Sequence, residues 1–348
     1  MNPRAITPDD IAIAMDMTLR QVWAFARKLD NAFKPTEMRN IKGKMRPIDA
    51  PLQSAKKPLQ LLHRWFQRSR LYHPIAHGGV KGRSCFTSAR QHLGHKYVWT
   101  RDAKDCYPSI STEEFRSELR KLKFRHDTAL LLSRLCTVRG RFGQGSPVSG
   151  DALNLYFWRI DQAMSSRCGK FLHTSRVADD FIVSGNCKTS GDAQIRRLEE
   201  MIEDRAIKIN QRKRRESGFQ DRSSPQLVHN IRVENRRGTK ICRDHWNTAR
   251  LCATSYIDSS RSVLPDSLES IAAKRRRLLG YIYYMRQAHF ANVKHLKQQL
   301  KLGDRNVAGR IRAVHITAYK NKWWLVSKKR NEPRRIATVW RVRIADES

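Results

Sequence analysis

Acidic residues are the conspicuous shortage in this chain of 348 residues. Asp and Glu total 32 against 69 Lys and Arg, a formal net charge of +37. Such an excess repels itself in a folded protein, so a polyanion is its natural complement, and nucleic acid fits that description better than a membrane. No apolar run approaches membrane-spanning length, and Met1-Asn2-Pro3-Arg4 leads into no apolar signal segment. The expectation is a cytoplasmic protein with no membrane partner. The seven cysteines are odd in number and contain no C-x-x-C, which argues against a disulfide framework and against a zinc site. Internal repeats and long low-complexity linkers are also missing.

What is present is enough apolar sequence, 40%, for one large globular unit built from subdomains. Thr7-Pro8-Asp9-Asp10 is a helix start, with Thr as N-cap and Pro at the first helical position. Ile41 to Pro51 suggests two short edge strands around a Gly-containing turn. Pro58 reads as the opening of a helix that carries Leu59, Leu62 and Phe66 on one face. Ser111 and Glu114 form a capping box, whereas Ser109 reads as a cap hydroxyl. A second helix is expected from about His126 to Val138. Trp323 to Val326 and Ile336 to Val342 look like strands; Trp323, Trp324 and Trp340 read as a small-sheet core, with stacking on unpaired bases as the alternative. Helices and strands mix without regular β-α alternation, which argues for an α+β fold.

Arg176-Val177-Ala178-Asp179-Asp180-Phe181-Ile182-Val183-Ser184-Gly185 holds two adjacent carboxylates between two apolar runs. Leu172 to Val177 and Phe181 to Val183 read as paired strands, with the acids at their turn. Taken alone, such a pair is more often a solvated turn than a site. Asp102 ends another short strand and is followed by Tyr107-Pro108-Ser109-Ile110. If the fold joins it to Asp179 and Asp180, three acids meet, and they cannot all ionise together without cations. Two Mg²⁺ ions resolve that conflict and are the machinery of in-line phosphoryl transfer.

Asp102 with Tyr107-Pro108-Ser109-Ile110, Gln144-Gly145 with Ser146-Pro147 and Asn154, Ala178-Asp179-Asp180, and Asn210 with Lys213 follow in order. That succession resembles the palm motifs of reverse transcriptases. Upstream, Arg46-Pro47-Ile48 with Pro51 resembles the fingers segment of bacterial members. Ala76-His77-Gly78, Gly82-Arg83-Ser84 and Ser88-Ala89-Arg90-Gln91-His92 resemble the retron reverse transcriptases, where an Asn-Ala-x-x-His block precedes the first catalytic Asp. The resemblance spans roughly residues 10–290. The chain departs from the pattern in four places. Val177 stands where an aromatic is usual, Gly143 where Pro is usual and Ser88 where Asn is usual. Val228-His229-Asn230 falls where Val-Thr-Gly is expected.

The resemblance implies a right-hand polymerase with an antiparallel palm sheet flanked by helices. Residues 1–94 would be N-terminal helices and fingers, and 95–240 the palm with a helical fingers insertion at about 112–142. Residues 241–304 would be the thumb and 305–348 a short basic extension. Asp102, Asp179 and Asp180 would be catalytic and hold two Mg²⁺. Arg46, Lys44, Tyr107, Gln144 and Lys213 would bind the deoxynucleoside triphosphate, with Tyr107 as steric gate and Lys213 at the leaving pyrophosphate. Arg83, Ser88, His92, Lys274, Arg275, Arg276 and Arg277 would contact RNA or DNA; for His92 a core position is an equal alternative. The implied activity is RNA-directed DNA synthesis on a dedicated structured non-coding RNA. It would yield RNA-linked single-stranded DNA in anti-phage defence with a separate effector protein. Another palm nucleotidyltransferase and a non-catalytic RNA-binding scaffold remain as rivals.

Overall fold

A computed structural model describes residues 2–39, 45–166, 171–205, 207–235, 238–261, 268–287 and 292–320. The chain divides into two compact units, Met1–Thr239 and Lys240–Ser348.

The first unit begins with two short helices, α1 (Pro8–Ala14) and α2 (Leu19–Arg27). Each is closed by a reciprocal capping box, Thr7 with Asp10 and Thr18 with Gln21. Strands β1 (Phe33–Arg39) and β2 (Met45–Pro51) pair antiparallel, so the hairpin starts earlier than the glycine-centred reading allowed. Helix α3 (Gln53–Ser69) runs through Pro58 instead of opening at it. It starts where the Leu52 N–H is tied to the Ala32 carbonyl at 2.9 Å, and Pro58 costs it one internal hydrogen bond. Leu59, Leu62 and Phe66 are wholly buried.

Helix α4 (Cys85–Arg90) precedes β3 (Tyr97–Asp102), the one-turn α5 (Cys106–Ser109), α6 (Thr112–Lys121) and α7 (His126–Cys136). The Ser111–Glu114 box starts α6, while the Ser109 hydroxyl donates back to the Asp105 carbonyl at 2.9 Å and caps nothing downstream. Two tiny strands, β4 (Thr137–Val138) and β5 (Arg141–Phe142), lead to α8 (Ser149–Tyr156) and α9 (Trp158–Ser166). Then come the hairpin β6 (Leu172–Val177) and β7 (Asp180–Gly185), helices α10 (Lys188–Glu203) and α11 (Gln211–Ser217), and β8 (Phe219–Gln220). A last hairpin is β9 (Leu227–Val228) and β10 (Ile231–Arg232).

The main sheet has the order β6-β7-β3-β8, with every pair antiparallel. Its two central strands are the most apolar. Phe181, Ile182, Val183, Val98 and Trp99 are all buried, and α10 packs on β3 and β7. An edge-to-face run of rings, Phe115–Phe142–Tyr156–Phe157–Phe181, carries the core from α6 to the strand that begins at Asp180. Mixed helices and antiparallel sheets are thus observed, as the α+β reading expects.

The second unit contains α12 (Arg243–Arg261), α13 (Leu268–Gln287) and α14 (Val293–Lys320), packed on one another. Helix α14 continues through the expected boundary at 304/305. The strands expected around Trp323, Trp324 and Trp340 lie outside the described residues. Among the described residues no helix is long and apolar enough to cross a membrane. The six described cysteines are free thiols.

Candidate active site

The β6–β7 turn carries the acids, and three local features set its shape. Ala178 is left-handed at φ 54°, a conformation unusual for a residue with a Cβ. Its carbonyl accepts from Arg176 Nη1 at 2.8 Å, and Arg176 forms a bidentate pair with Asp161 (Nε–Oδ1 2.8 Å, Nη2–Oδ2 2.5 Å). Both side chains of that pair are 0% exposed, and the guanidinium lies over the rings of Phe157 and Phe181. Gly78 packs against the same turn so closely that an added Cβ would lie 2.4 Å from Ala178 N. That loop is held by Asn154, whose Nδ2 donates to the Gly78 carbonyl at 2.9 Å, and by His77 N–H on the Arg176 carbonyl at 2.7 Å.

Sheet register then brings the acids together. Asp102, last residue of β3, is the cross-strand partner of Asp180, first residue of β7. The Ala103 N–H donates to the Asp179 carbonyl at 3.1 Å. Asn210, N-cap of α11, donates from Nδ2 to Asp102 Oδ2 at 2.8 Å and from its N–H to the Asp102 carbonyl at 2.8 Å. One turn into α11, Lys213 Nζ bonds Asp102 Oδ1 and lies 3.4 Å from Asp180 Oδ1. Partial burial, with Asp102 and Asp179 close by, pushes Asp180 up to about 7 against the pull of Lys213. Burial alone would lower Lys213, but Asp180 and Asp102 outweigh it and raise it. His229, at the β9–β10 turn, faces Asp180 with Nδ1 at 3.9 Å from Oδ2, and burial lowers it to about 4.

Other expected site residues fall into two groups. Tyr107 is half-buried beside this cluster, and burial, then Asp179, raises its hydroxyl to about 12. The Gln144-Gly145 turn packs on β2: the Asp49 N–H donates to the Gln144 carbonyl at 2.7 Å. Gly145, at φ +116°, leaves no room for a Cβ, which would lie 2.6 Å from Ile48 Cγ2. Arg46 stands on β2, and Lys44 lies outside the described residues.

Most of the second group is buried or engaged within the protein. Ser88 and His92 are 0% exposed, so the reading of both as RNA contacts is corrected, and His92 takes the core alternative. Arg83 spends Nη1 on the carbonyls of His73, Pro74 and Ala76 at 2.7–3.0 Å, tying its own loop together. In the helical unit, Arg275 pairs with Asp304 (2.7 and 3.0 Å) and Lys274 bonds the Ser259 hydroxyl. Only Arg276 and Arg277 of that basic run are exposed.

Arg176, Asp161, Gly78 and His229 were not singled out as site residues. A charged residue inside a strand and a glycine in a loop carry no local signal of a partner 15 or 100 residues away. Among the described residues no three His, Cys, Asp or Glu side chains form a preformed metal cage. Mg²⁺ needs none where substrate phosphates complete its shell.

Carboxylates on adjacent strands of an antiparallel sheet thus meet at one end of it and are countered by a lysine. The chain belongs to the reverse transcriptase (RNA-dependent DNA polymerase) family, whose model matches residues 32–263. It is similar to the retron Mx65 reverse transcriptase of Myxococcus xanthus, 26% identical over 247 residues, covering 66% of this chain and 55% of that protein. The retron Mx162 reverse transcriptase of the same organism is 30% identical over 198 residues, covering 50% of this chain and 40% of that protein. The chain thus spans about half the length of these relatives. Among solved structures, Candida albicans telomerase with a fragment of telomeric RNA aligns at TM-score 0.43 and 11% identity, covering 85% of this chain and 66% of that one.

Proposed function

We propose that the chain is an RNA-directed DNA polymerase whose catalytic acids are Asp102, Asp179 and Asp180. The observation that carries this reading is the meeting of Asp102 and Asp180 on paired strands, with Asp179 in the adjoining turn and an ammonium drawn across them. Hard oxygen donors in excess over cations are the chemistry that suits Mg²⁺, and Lys213 marks where positive charge is wanted. The three carboxylates would hold two such ions, which when bound ease deprotonation of the primer hydroxyl and neutralise the triphosphate.

The remaining steps belong to the chain. Asn210 fixes the Asp102 carboxylate through Oδ2, so Oδ1 is left to Lys213. Lys213, on a helix that starts at Asn210, would leave the acids for the pyrophosphate and offer it charge and a proton. Tyr107, with its hydroxyl kept protonated, would lie under the sugar and exclude a ribose 2′-OH. Gln144, on the turn that packs on β2, would orient the incoming nucleotide with Arg46 and Lys44.

In this reading the four-stranded sheet is a palm, β1 to α4 with α6 and α7 are fingers, and residues 241–304 are a thumb followed by a basic extension. Similarity to retron reverse transcriptases supports a dedicated structured RNA as template and RNA-linked single-stranded DNA as product. An anti-phage role in the cytoplasm with a separate effector is the same reading carried one step further. The test is primer extension on a polyribonucleotide template. Incorporation of dNTPs but not NTPs, lost in Asp179→Asn/Asp180→Asn, is expected. Equal use of NTPs, or extension by the double variant at the wild-type rate, overturns it. Sequencing of co-purifying nucleic acid separates a covalent RNA–DNA species from long free cDNA, which would place the chain outside the retron type.

A further inference from the structure

The loop that backs the β6–β7 turn is itself tied to a buried carboxylate that the proposed chemistry does not use. Asp151, in the first turn of α8, is 2% exposed. Its Oδ1 lies 2.6 Å from the Tyr72 hydroxyl and 2.9 Å from Gln67 Nε2. Its Oδ2 lies 2.7 Å from Nδ1 of His63, one turn before Gln67 on α3. Gln67 then reaches the loop. Its Nε2 is 2.7 Å from the Gly79 carbonyl oxygen, and the Lys81 N–H donates to its Oε1 at 2.7 Å. Three residues after Asp151 on the same helix, Asn154 donates to the neighbouring Gly78 carbonyl.

The backbone fixes the direction of these bonds. A carbonyl can only accept and an N–H can only donate, so the Gln67 amide has one orientation, nitrogen to Gly79 and oxygen to Lys81. No titrating group is needed to set it. The amide nitrogen has one hydrogen left, and Asp151 Oδ1 at 2.9 Å is nearer to it than the Tyr72 oxygen at 3.1 Å. Asp151 thus orients Gln67, and Gln67 holds the loop at two points.

The loop has little to hold itself. Three of the five residues from 78 to 82 are glycine, and Gly79 and Gly82 are left-handed at φ +68° and +79°. Glycine restrains its backbone least of all residues. Yet this loop meets the turn directly, with Gly78 seated on Ala178. Two reciprocal backbone bonds also join it to β6, His77 N–H to the Arg176 carbonyl at 2.7 Å and Arg176 N–H to the Ile75 carbonyl at 2.8 Å. A shift at Gly79 is therefore passed to Ala178, next to Asp179.

We propose that Asp151 and Gln67 are positioning residues for the catalytic acids: Asp151 orients the Gln67 amide, and Gln67 clamps Gly79 and Lys81 so that Gly78 stays seated against Ala178. The use of this clamp in synthesis rests on the polymerase reading above, but its existence does not.

The test is hydrogen exchange on the full chain without divalent ions, read residue by residue by mass spectrometry, beside steady-state primer extension. Gln67→Met keeps the bulk and loses both bonds to the loop. The amides of Lys81, His77 and Arg176 should exchange about tenfold faster, the effect of one lost hydrogen bond, while those of α10 keep the wild-type rate. Extension should lose about tenfold in kcat while the KM for dNTP holds. Asp151→Ala should do the same, and Gln67→Met/Asp151→Ala should be no worse than Gln67→Met alone. Asp151→Asn should behave as the wild type, because its oxygen still accepts from Gln67 and Tyr72 and its nitrogen can donate to His63 Nδ1. Faster exchange at Lys81 alone, with His77 and Arg176 unchanged, would end the clamp at the loop and overturn the proposal. Acceleration that includes α10 would mark a merely structural role and overturn it too. The same holds for an unchanged kcat in Gln67→Met, or for Asp151→Asn as impaired as Asp151→Ala. A wild type that extends no primer, with exchange as expected, would instead sink the polymerase reading and leave the clamp standing.

Discussion

Two charged clusters flank one turn and are built on opposite principles. Arg176 and Asp161 are matched one to one, both 0% exposed, and the guanidinium has a third partner in the Ala178 carbonyl. A few residues on, a single ammonium, Lys213, faces Asp102 and Asp180, with Asp179 beside them. Here the Lys213 side chain is 52% exposed and that of Asp180 is 39% exposed. The first cluster is complete and closed to water. The second is short of positive charge and open to it. On the proposed reading, rigidity of the turn comes from the closed cluster and capacity for a cation from the open one; a site that was both fully paired and buried would have nothing left to bind.

The largest expected effect breaks the open cluster. Asp102→Asn should lower the rate of primer extension about 10³-fold, since an electrostatic partner of the reacting groups is lost. The melting temperature should stay level, because the carboxylate that it removes is in excess. Single-turnover extension and calorimetry on one preparation check both halves. A loss of activity accompanied by a large fall in melting temperature would mean that the acids hold the sheet together and are not spare.

Breaking the closed cluster should do the reverse. Asp161→Asn leaves Arg176 buried without its counter-charge, a cost of about 3–5 kcal/mol. Calorimetry should register a fall of roughly 10 °C. The paired swap Arg176→Met/Asp161→Leu should recover most of that stability, since buried ion pairs can be replaced by apolar residues of similar size. It should not recover extension, because the left-handed Ala178 has then lost the donor to its carbonyl. Recovery of both would remove the guanidinium from any part in shaping the turn.

The two clusters also differ in how far they could be read from sequence. The open one was legible. Its acids lie between two short runs, and the aromatic and β-branched content of Phe181 to Val183 reads as a strand with Asp179 and Asp180 at the turn before it. Joining them to Asp102 and Lys213 took the order of motifs, because sheet register links residues 78 apart in the chain. The closed cluster was not legible. Arg176 within β6 carries no mark that distinguishes a buried arginine from a solvated one, and its partner stands on a helix that precedes the strand. The same limit explains Ser88 and His92. Their motif resembles a family block, but only the packing of α4 on β6 shows that the side chains point inward. It also explains Arg275, whose charge is taken by Asp304 on another helix. The Pro58 reading failed for a different reason: a tertiary tie at Leu52 fixed the helix start, and local propensity gave way to it.

The smallest expected effect sharpens the contrast through pH. Asp180 binds its proton more tightly in the folded protein, near 7, than an ordinary aspartate does at 3.8. Stability from that proton is fully present below 3.8 and is lost as pH rises through about 7. Above that, the ionised carboxylate opposes folding when no divalent ion is present. Asp180→Asn carries no charge at any pH, so the variant should match the wild type near pH 4 and exceed it at pH 8. With the side chain partly exposed, screening holds the difference to about 1 kcal/mol, or roughly 2–4 °C. Adding Mg²⁺ at pH 8 should raise the wild type more than the variant and narrow the difference. Asp161→Asn, whose defect lies in the closed cluster, should show the same deficit at pH 8 with or without Mg²⁺. A variant that melts below the wild type at pH 8 in chelator would show that Lys213 already satisfies Asp180, and that the open cluster is closed after all.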